Sequence, residues 1–248
     1  MIGPELLIVA LATLMAGVLV GMTGWGGWIV AGSIAWIFFS PVTVSGMSHS
    51  VSVAFDLALI FWATRGQGGQ INWKKVRAIL LPVVPGAIAG AVLLRLAGPD
   101  LLRLGAAALI CLGAFPSVWA LAGRYTARVG LGFMAGSFSS IGMFPGPPVV
   151  VALSGERKAA DFLATIGVTF LGIILISLPA VLLAVTPGQW PGLTEGLILG
   201  LLLAPLAAGS TLLTLGRAGE GQHTRARTWG RWICLVAAGV IAGQVLIG

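Results

Sequence analysis

Two short apolar stretches of this chain are each interrupted by glycine, and both interruptions could contribute to an anion site. Their candidate ligands are Thr23, Gly24, Gly26, Gly27, Gly142 and Gly146. A helix that begins at such an interruption presents free backbone N–H groups and a partial positive charge, which can replace the water lost by an anion. Glycine allows close approach because it has no side chain. The alternative is that these glycines only let membrane helices pack closely.

Hydroxyl and imidazole donors lie near both interruptions. The candidates for substrate binding are Ser48, His49, Ser52, Ser140 and Thr165. A tetrahedral oxoanion accepts several neutral hydrogen bonds, so an uncharged site is chemically reasonable. Ser48 and Thr165 are the strongest candidates because they occupy matching places in the two halves of the chain. The alternative is that such hydroxyls bond back to the carbonyls of their own helices.

Asp56 lies within an apolar segment at 47–64, where a carboxyl group is costly and therefore points to function. His49 precedes it by seven residues on roughly the same helix face. The two residues are candidates for carrying a coupling proton. The alternatives for Asp56 are an ion pair with Arg65 or Arg95, or a neutral, hydrogen-bonded acid.

Composition places these residues in a membrane protein. Of the 248 residues, 58% are hydrophobic and only 8% are charged, and the mean hydropathy is +1.03. These values are typical of an integral membrane protein and exclude a soluble domain. The net charge of +7 does not indicate nucleic-acid binding, because the basic residues flank apolar segments and form no stripe with aromatics. Several tryptophans, Trp28 among them, are expected at the membrane interface.

Motifs for other chemistry are absent from the sequence. It contains no nucleotide-binding loop, zinc-binding HExxH or nucleophile-elbow motif, so we expect neither an enzyme nor an ATP-driven pump. Cys111 and Cys234 both lie inside apolar runs, which argues against a structural disulfide or a metal site. No metal and no cofactor are expected.

The apolar windows predict an all-α integral membrane protein built from a duplication. Windows at 27–39 and 147–154 are too short to cross a bilayer, so 5–39 and 129–154 are each read as a broken or re-entrant helix pair. Three transmembrane helices follow each pair. The repeats are residues 1–123 and 124–248, and Gly24 matches Gly142 at an offset of 118 (142 − 24).

Loop charges predict how the two repeats are oriented. The basic residues cluster in three connections that the positive-inside rule places in the cytoplasm: Arg65, Lys74, Lys75 and Arg77; Arg124 and Arg128; Arg217, Arg225, Arg227 and Arg231. The weakly charged connections at 97–100 and 187–194 are then external. Each loop of the first half therefore faces the opposite way from its counterpart, which is the pattern of inverted repeats. The last basic cluster is also expected to contact anionic lipid headgroups.

Four short motifs resemble those of the sulfite exporter TauE/SafE family, also called the TSUP transporters. They are the glycine-rich break at 24–27, the Ser-Gly-Met-Ser step at 45–48, the Gly-Gln-Ile-Asn-Trp turn at 69–73 and the second break at 142–148. Their order and spacing span nearly the whole chain. The chain departs from the family pattern at Met47, where threonine is usual, at Asn72, where aspartate is usual, and at Leu163, where arginine is common.

The resemblance implies a secondary transporter, and an exporter by the family's name, of a small sulfur-containing anion such as sulfite or an organosulfonate. Inverted repeats, with a site between two broken pairs at the membrane midplane, imply alternating access. The missing arginine at Leu163 argues against a simple charge-paired anion site. We expect a multi-pass protein of a bacterial-type inner (plasma) membrane, coupled to a proton or another ion, with a homodimer as the expected assembly. The alternatives are a non-transporting scaffold or accessory subunit and an anion channel.

Overall fold

The computed structural model describes residues 3–24, 26–114, 125–142, 145–153 and 158–215, together with parts of 232–246. These residues form helices joined by short connections, and no strand occurs among them. Trp25, the basic residues at 217–231 and much of the predicted segments 101–122 and 230–247 lie outside the described residues. The predictions that depend on those residues therefore stay predictions.

The described residues of the first half form five helices. Helix α1 spans Pro4–Thr23, α2 spans Gly27–Phe38, and α3 spans Pro41–Phe61 and continues into a π-helical turn at Trp62–Gly66. Helix α4 spans Trp73–Leu96 and α5 spans Pro99–Ala114. The second half repeats this order.

In the second half, α6 spans Tyr125–Ser140 and α7 is a short helix at Gly146–Leu153. Helix α8 spans Ala159–Ala184, and after a short 3₁₀ turn α9 spans Trp190–Thr214. A last helical stretch is described at 238–243. The order of a helix, a short helix and a long helix thus occurs twice along the chain.

Capping residues explain why α3 and α4 begin where they do. The apolar window predicted α3 from residue 47, but the helix begins at Pro41, because the Ser40 hydroxyl accepts a hydrogen bond from the Thr43 N–H at 3.2 Å. The Asn72 side chain caps α4 by accepting from the Lys75 N–H at 3.2 Å. Aspartate and asparagine are equally good caps, so the departure from the family pattern at Asn72 preserves this role.

Five helical segments among the described residues are long and apolar enough to cross a membrane. They are Pro4–Thr23, Pro41–Gly66, Trp73–Leu96, Ala159–Ala184 and Pro187–Thr214. Helix α1 is among them, so the first helix of the predicted broken pair at 5–39 is long enough to cross the membrane by itself. Helix α2 has only 12 residues, about 18 Å of helix, and cannot cross a hydrocarbon layer about 30 Å thick.

Glycine lets two helix pairs approach until their backbones touch. A Cβ at Gly90 in α4 would lie 2.7 Å from Ser137 Cα in α6, and one at Gly21 in α1 would lie 2.7 Å from the Thr211 carbonyl oxygen in α9. Such contacts replace the hydrophobic driving force that is missing between helices in lipid. Gly86 serves the same close packing, because it lies directly on the Phe133 backbone.

Helices α3 and α8, which hold equivalent places in the two halves, run antiparallel to each other. His49 in α3 meets Ser177 in α8, whereas Leu59, further along α3, lies beside Gly167, which comes earlier in α8. The two crossings are related by the offset of 118, since 49 + 118 = 167 and 59 + 118 = 177. Large buried side chains on and around α3 include Trp28, Trp36 and Met47.

Candidate functional site

The first interruption is formed by two glycines in left-handed conformations. Gly24 has φ +78° and closes α1, with its N–H donating to the Val20 carbonyl at 2.7 Å. Gly26 has φ +89° and immediately precedes α2. Residues with a Cβ rarely adopt these conformations, which is why glycine occupies both positions.

The second interruption has the same local structure. Gly142, with φ +83°, follows the end of α6, and its N–H donates to the Ser139 carbonyl at 3.1 Å. Gly24 and Gly142 therefore cap the preceding helices, and their amides are already bonded. As ligands they would have to act through close backbone approach, because their N–H groups are not free.

Each interruption packs on the long helix of the other half. Gly24 contacts Leu163 and Phe162 near the start of α8, whereas Gly142 contacts Ser45 and Val44 near the start of α3. These pairs are related by the offset of 118, because 44 + 118 = 162 and 45 + 118 = 163. Since α3 and α8 are antiparallel, the structure places the two glycines near opposite ends of this helix pair and not against each other.

Trp28 connects the two interruptions. Its indole Nε1 donates to the Gly142 carbonyl at 3.2 Å across 114 residues of sequence. The side chain is 1% exposed, so it faces the protein interior, whereas an aromatic of the interfacial belt would face lipid and water. Burial of the indole costs little here because its one polar group, the Nε1–H, donates a hydrogen bond to the Gly142 carbonyl.

The two helix ends that follow the interruptions are chemically unequal. In the first turn of α2, the amides of Gly27 and Trp28 precede the first bonded one, since the Ile29 N–H bonds to Gly26. In α7, Pro147 and Pro148 have no N–H. Gly146 therefore supplies the one unbonded amide in that turn, because the Val149 N–H bonds to the Pro145 carbonyl at 3.4 Å. This differs from the expected pair of equivalent amide-rich ends.

A buried polar network joins the second interruption to α3 and α8. His49 Nδ1 lies 2.7 Å from the Ser45 carbonyl, and its Nε2 lies 2.9 Å from Ser177 Oγ. Ser177 Oγ lies 2.7 Å from Ser139 Oγ, and the Ser45 hydroxyl donates to the Ser140 carbonyl at 3.0 Å. The network therefore fixes the last turn of α6 to both long helices.

Hydrogen-bond chemistry assigns the histidine tautomer in this network. A carbonyl oxygen can only accept, so Nδ1 of His49 carries the hydrogen that bonds to Ser45. In the neutral ring Nε2 then accepts from the Ser177 hydroxyl, which in turn accepts from Ser139. Both ring nitrogens are thus occupied by the protein, and His49 positions the helices around the site.

The equivalent crossing in the other half is apolar. Gly167 stands in the place of His49 and Leu59 in the place of Ser177, and a Cβ added at Gly167 would lie 3.4 Å from Leu59 Cβ. Two of the other network positions, Ser45 and Ser139, correspond to Leu163 and Gly21 at the offset of 118. The positions related by the offset of 118 therefore differ in polar chemistry although the two pairs of helix positions pack in the same way.

Ser48, Ser52 and Asp56 form a stripe along one face of α3, since each follows the previous one by four residues. Ser48 and Ser52 are each 5% exposed and Asp56 is 2% exposed. Within the described part of the chain, neither serine hydroxyl has a hydrogen-bond partner, and Asp56 Oδ2 has none either. Asp56 Oδ2 is sealed from solvent, whereas the two serine hydroxyls are not, so a ligand can reach them. Because polar groups inside a protein are ordinarily paired, this polar stripe has capacity for a ligand.

The predicted ion pairs of Asp56 are not formed. The Arg65 guanidinium lies 5.5 Å from the centre of the Phe61 ring, on the exposed π-helical turn. Among the described residues, the one carboxylate that pairs with arginine is Asp100, which lies 3.9 Å from Arg103. The interpretation of Asp56 as half of an ion pair with Arg65 or Arg95 is therefore wrong.

The remaining predicted ligands bond within the fold. The Thr23 hydroxyl donates to the Leu19 carbonyl at 2.7 Å, and the Ser140 hydroxyl donates to the Ala87 carbonyl of α4 at 2.9 Å. Thr165 accepts from the Asn72 N–H at 3.1 Å. It thereby anchors the connection before α4 to the start of α8. At the offset of 118, Thr165 corresponds to Met47 (47 + 118 = 165), so the expected match with Ser48 is displaced by one residue.

Ser177 and Trp28 are the site residues that sequence reasoning missed. Ser177 lies in a long apolar run, 128 residues away from its partner His49. A lone hydroxyl in such a run is a weak signal, although the antiparallel arrangement of α3 and α8 brings it to the network. The described residues contain no group of three His, Cys, Asp or Glu side chains that could hold a metal ion.

Comparison with protein families gives one match. The family model described as "Sulfite exporter TauE/SafE" matches residues 9–215, which include both interruptions, the network and the stripe. Comparisons with curated proteins and with solved structures gave no match.

Proposed function

The chain belongs to the sulfite exporter TauE/SafE family of membrane transporters, and on that premise we propose that it moves a small sulfur-containing anion, such as sulfite or an organosulfonate, out of the cell. The substrate binds beside the stripe of Ser48, Ser52 and Asp56, between the two interruptions. The observation that carries this proposal is the pair of serines, each only 5% exposed, whose hydroxyls have no hydrogen-bond partner among the described residues and are not sealed from solvent. Two neutral donors one helical turn apart suit an oxoanion with several acceptor oxygens.

The amides of Gly27 and Gly146 are further candidate ligands in this proposal. Gly24, Gly26 and Gly142 shape the interruptions so that the backbone can approach the anion closely. The polar network around His49 holds the second interruption in place while the anion is bound. Thr23, Ser140 and Thr165 contribute through the helices and connections that they fix.

Two inverted repeats, at 1–123 and 124–248, are part of the same proposal. The antiparallel course of α3 and α8 supports inversion, because equivalent helices of an inverted pair must run in opposite directions. The reciprocal packing of Gly24 on Leu163 and of Gly142 on Ser45 supports it as well. In this arrangement, transport occurs by movement of one group of helices against the other, in a multi-pass protein of a bacterial-type inner membrane that acts as a homodimer.

Flux into proteoliposomes tests the function. We expect saturable uptake and counter-exchange of labelled sulfite, sulfoacetate or taurine, well above that of empty vesicles. No flux for any of these anions would favour a non-transporting scaffold, and flux without saturation or counter-exchange would favour an anion channel. Either result would overturn the proposal.

Substitutions on α3 test the site. Ser48→Ala and Ser52→Ala each remove one donor to a charged ligand, which is worth about 1.5–3 kcal/mol, or about a 10-fold or greater loss of apparent affinity. The matched control is Thr64→Val, because the Thr64 hydroxyl donates to the Ile60 carbonyl of its own helix at 2.6 Å. Equal affinities in all three variants and the unsubstituted protein would remove Ser48 and Ser52 from the site.

A further inference from the structure

Asp56 is a carboxyl group held deep inside the protein. It is 2% exposed and lies ten residues before the end of the helical segment at Gly66, which is about 15 Å of helix. The other end of the segment, Pro41, is 15 residues away (56 − 41), so Asp56 lies in the interior of a segment long enough to cross a hydrocarbon layer about 30 Å thick. A carboxyl at this depth marks a functional position unless a partner compensates for it.

The described surroundings of α3 supply no such partner. The charged residues on helices packed against α3, or on its own π-helical turn, are Glu5, Arg65, Asp100, Arg103, Asp161 and Glu195. None of them forms an ion pair with Asp56; the Arg103 guanidinium lies 3.9 Å from Asp100, although its Nε is buried without a hydrogen-bond partner. The Arg128 side chain lies outside the described residues. His49 lies two helical turns away, and both its ring nitrogens are bonded.

The ligand that fits one unpartnered carboxyl is a proton. A metal cation requires several oxygen ligands arranged around it, and the described residues hold no cluster of acidic side chains or histidines for that purpose. Protonation needs one oxygen atom and removes the buried charge. The step is balanced by the proton alone: the carboxylate takes up one proton on one side of the membrane and releases it on the other.

The serines place an anion close to this carboxyl. Ser52 precedes Asp56 by four residues and Ser48 precedes it by eight, so the rise along the helix axis is about 6 Å and about 12 Å. At such distances in an apolar interior, a bound anion and an ionised Asp56 repel each other strongly. Anion binding and protonation of Asp56 therefore favour each other, and by linkage the effect is reciprocal.

We propose that Asp56 is the proton-carrying group of this transporter and that one proton crosses the membrane with each anion bound beside Ser48 and Ser52. This inference rests on the proposed transport function. His49 has a positioning role and does not carry the proton. The sequence does not distinguish His49 from Asp56 as the proton carrier. Their hydrogen bonds do, because both ring nitrogens of His49 are bonded whereas Asp56 Oδ2 has no partner.

Proton flux driven by an anion gradient tests the inference. The probe is an alkanesulfonate, whose charge does not change near neutral pH, so any proton that moves is carried by the protein. Proteoliposomes contain a pH-sensitive dye, and anion flux is measured in parallel. We expect the unsubstituted protein to move protons in the same direction as the anion at a ratio near one, and Asp56→Asn to lose proton movement while still exchanging anion for anion.

Asp100→Asn is the matched control, because Asp100 is an exposed carboxylate paired with Arg103, and we expect it to keep coupled flux. Anion flux without proton movement in the unsubstituted protein would overturn the inference and leave the transport function intact. Persistent proton coupling in Asp56→Asn would also overturn it. Absence of any anion flux in the unsubstituted protein would instead overturn the proposed function.

A second measurement avoids substitution at Asp56 altogether. An apolar carbodiimide reacts with protonated carboxyl groups, and mass spectrometry locates the adduct. We expect labelling of Asp56 to increase as the pH falls, and the midpoint to move to higher pH when the alkanesulfonate is present. A midpoint that the anion does not move would contradict the linkage, whether or not Asp56→Asn folds.

Discussion

The hydrogen-bonded chain of His49, Ser177 and Ser139 predicts a measurable coupling between helices that are far apart in sequence. Ser177→Ala removes two contacts, the one to His49 Nε2 at 2.9 Å and the one to Ser139 Oγ at 2.7 Å. It also leaves both partners buried and unpaired. Hydrogen bonds between membrane helices are worth about 0.6 kcal/mol on average and up to about 1.7 kcal/mol. With the added cost of the stranded groups, we expect a loss of about 2 kcal/mol of unfolding free energy.

Ser139→Ala removes one of these contacts and leaves Ser177 able to donate to His49, so its expected cost is smaller, about 1 kcal/mol. In the double variant Ser139→Ala and Ser177→Ala, the shared bond can be lost only once. The coupling energy from the double-mutant cycle should therefore lie between about 0.6 and 1.7 kcal/mol. The assay is reversible unfolding in mixed micelles, where denaturing detergent is titrated and helicity is followed.

The control cycle combines Ser139→Ala with Ser50→Ala. The Ser50 hydroxyl donates to the Leu197 carbonyl of α9 at 3.1 Å and shares no partner with Ser139, so the two effects should add within about 0.3–0.5 kcal/mol. A Ser139–Ser177 coupling no larger than this control would refute the network. An effect of Ser139→Ala larger than that of Ser177→Ala would refute the assigned direction of its hydrogen bonds.

Three further outcomes follow from local geometry. Gly90→Ala should destabilise the protein by about 1–3 kcal/mol, because the added Cβ would meet the Ser137 backbone. Gly209→Ala is the control, because a Cβ there meets no described atom within 4 Å, and it should be neutral or stabilising. Thermal unfolding in detergent measures both. Asn72→Ala should cost about 1 kcal/mol by removing the α4 cap, and Asn72→Asp should cost a few tenths at most in the same assay. Asp161→Asn should weaken the 2.7 Å hydrogen bond from the Gln70 N–H by about 1 kcal/mol and speed hydrogen exchange of that amide about five-fold. Unchanged exchange would show that this bond does not order the connection between α3 and α4.

Local backbone features of this chain could be predicted from sequence because they depend on residue type at one position. Glycine at 24 and 142 was expected to interrupt helices, and both residues have positive φ, as a helix end followed by a turn requires. The all-helical fold and the membrane-spanning segments followed from composition and hydropathy. Family membership followed from four short motifs in order, and the match over 9–215 confirms it.

Partner choice could not be predicted, because it depends on how helices cross. Ser140 and Thr165 look like ligands in sequence, yet each hydroxyl bonds to another helix or connection. Trp28 resembles an interfacial tryptophan until its acceptor, the Gly142 carbonyl, is known. The small number of free N–H groups at the start of α7, in contrast, could be predicted from sequence, since Pro147 and Pro148 can donate no backbone hydrogen bond.

The two equivalent crossings of α3 and α8 have consequences for the energetics of a working cycle. Separating His49 from Ser177 exposes an imidazole and hydroxyls that water can solvate, whereas separating Leu59 from Gly167 exposes closely packed apolar surface. The free energies of these two openings therefore depend differently on temperature. In the transport cycle proposed above, the inward-open and outward-open populations should therefore shift against each other on cooling, because the two openings expose surfaces of different chemistry.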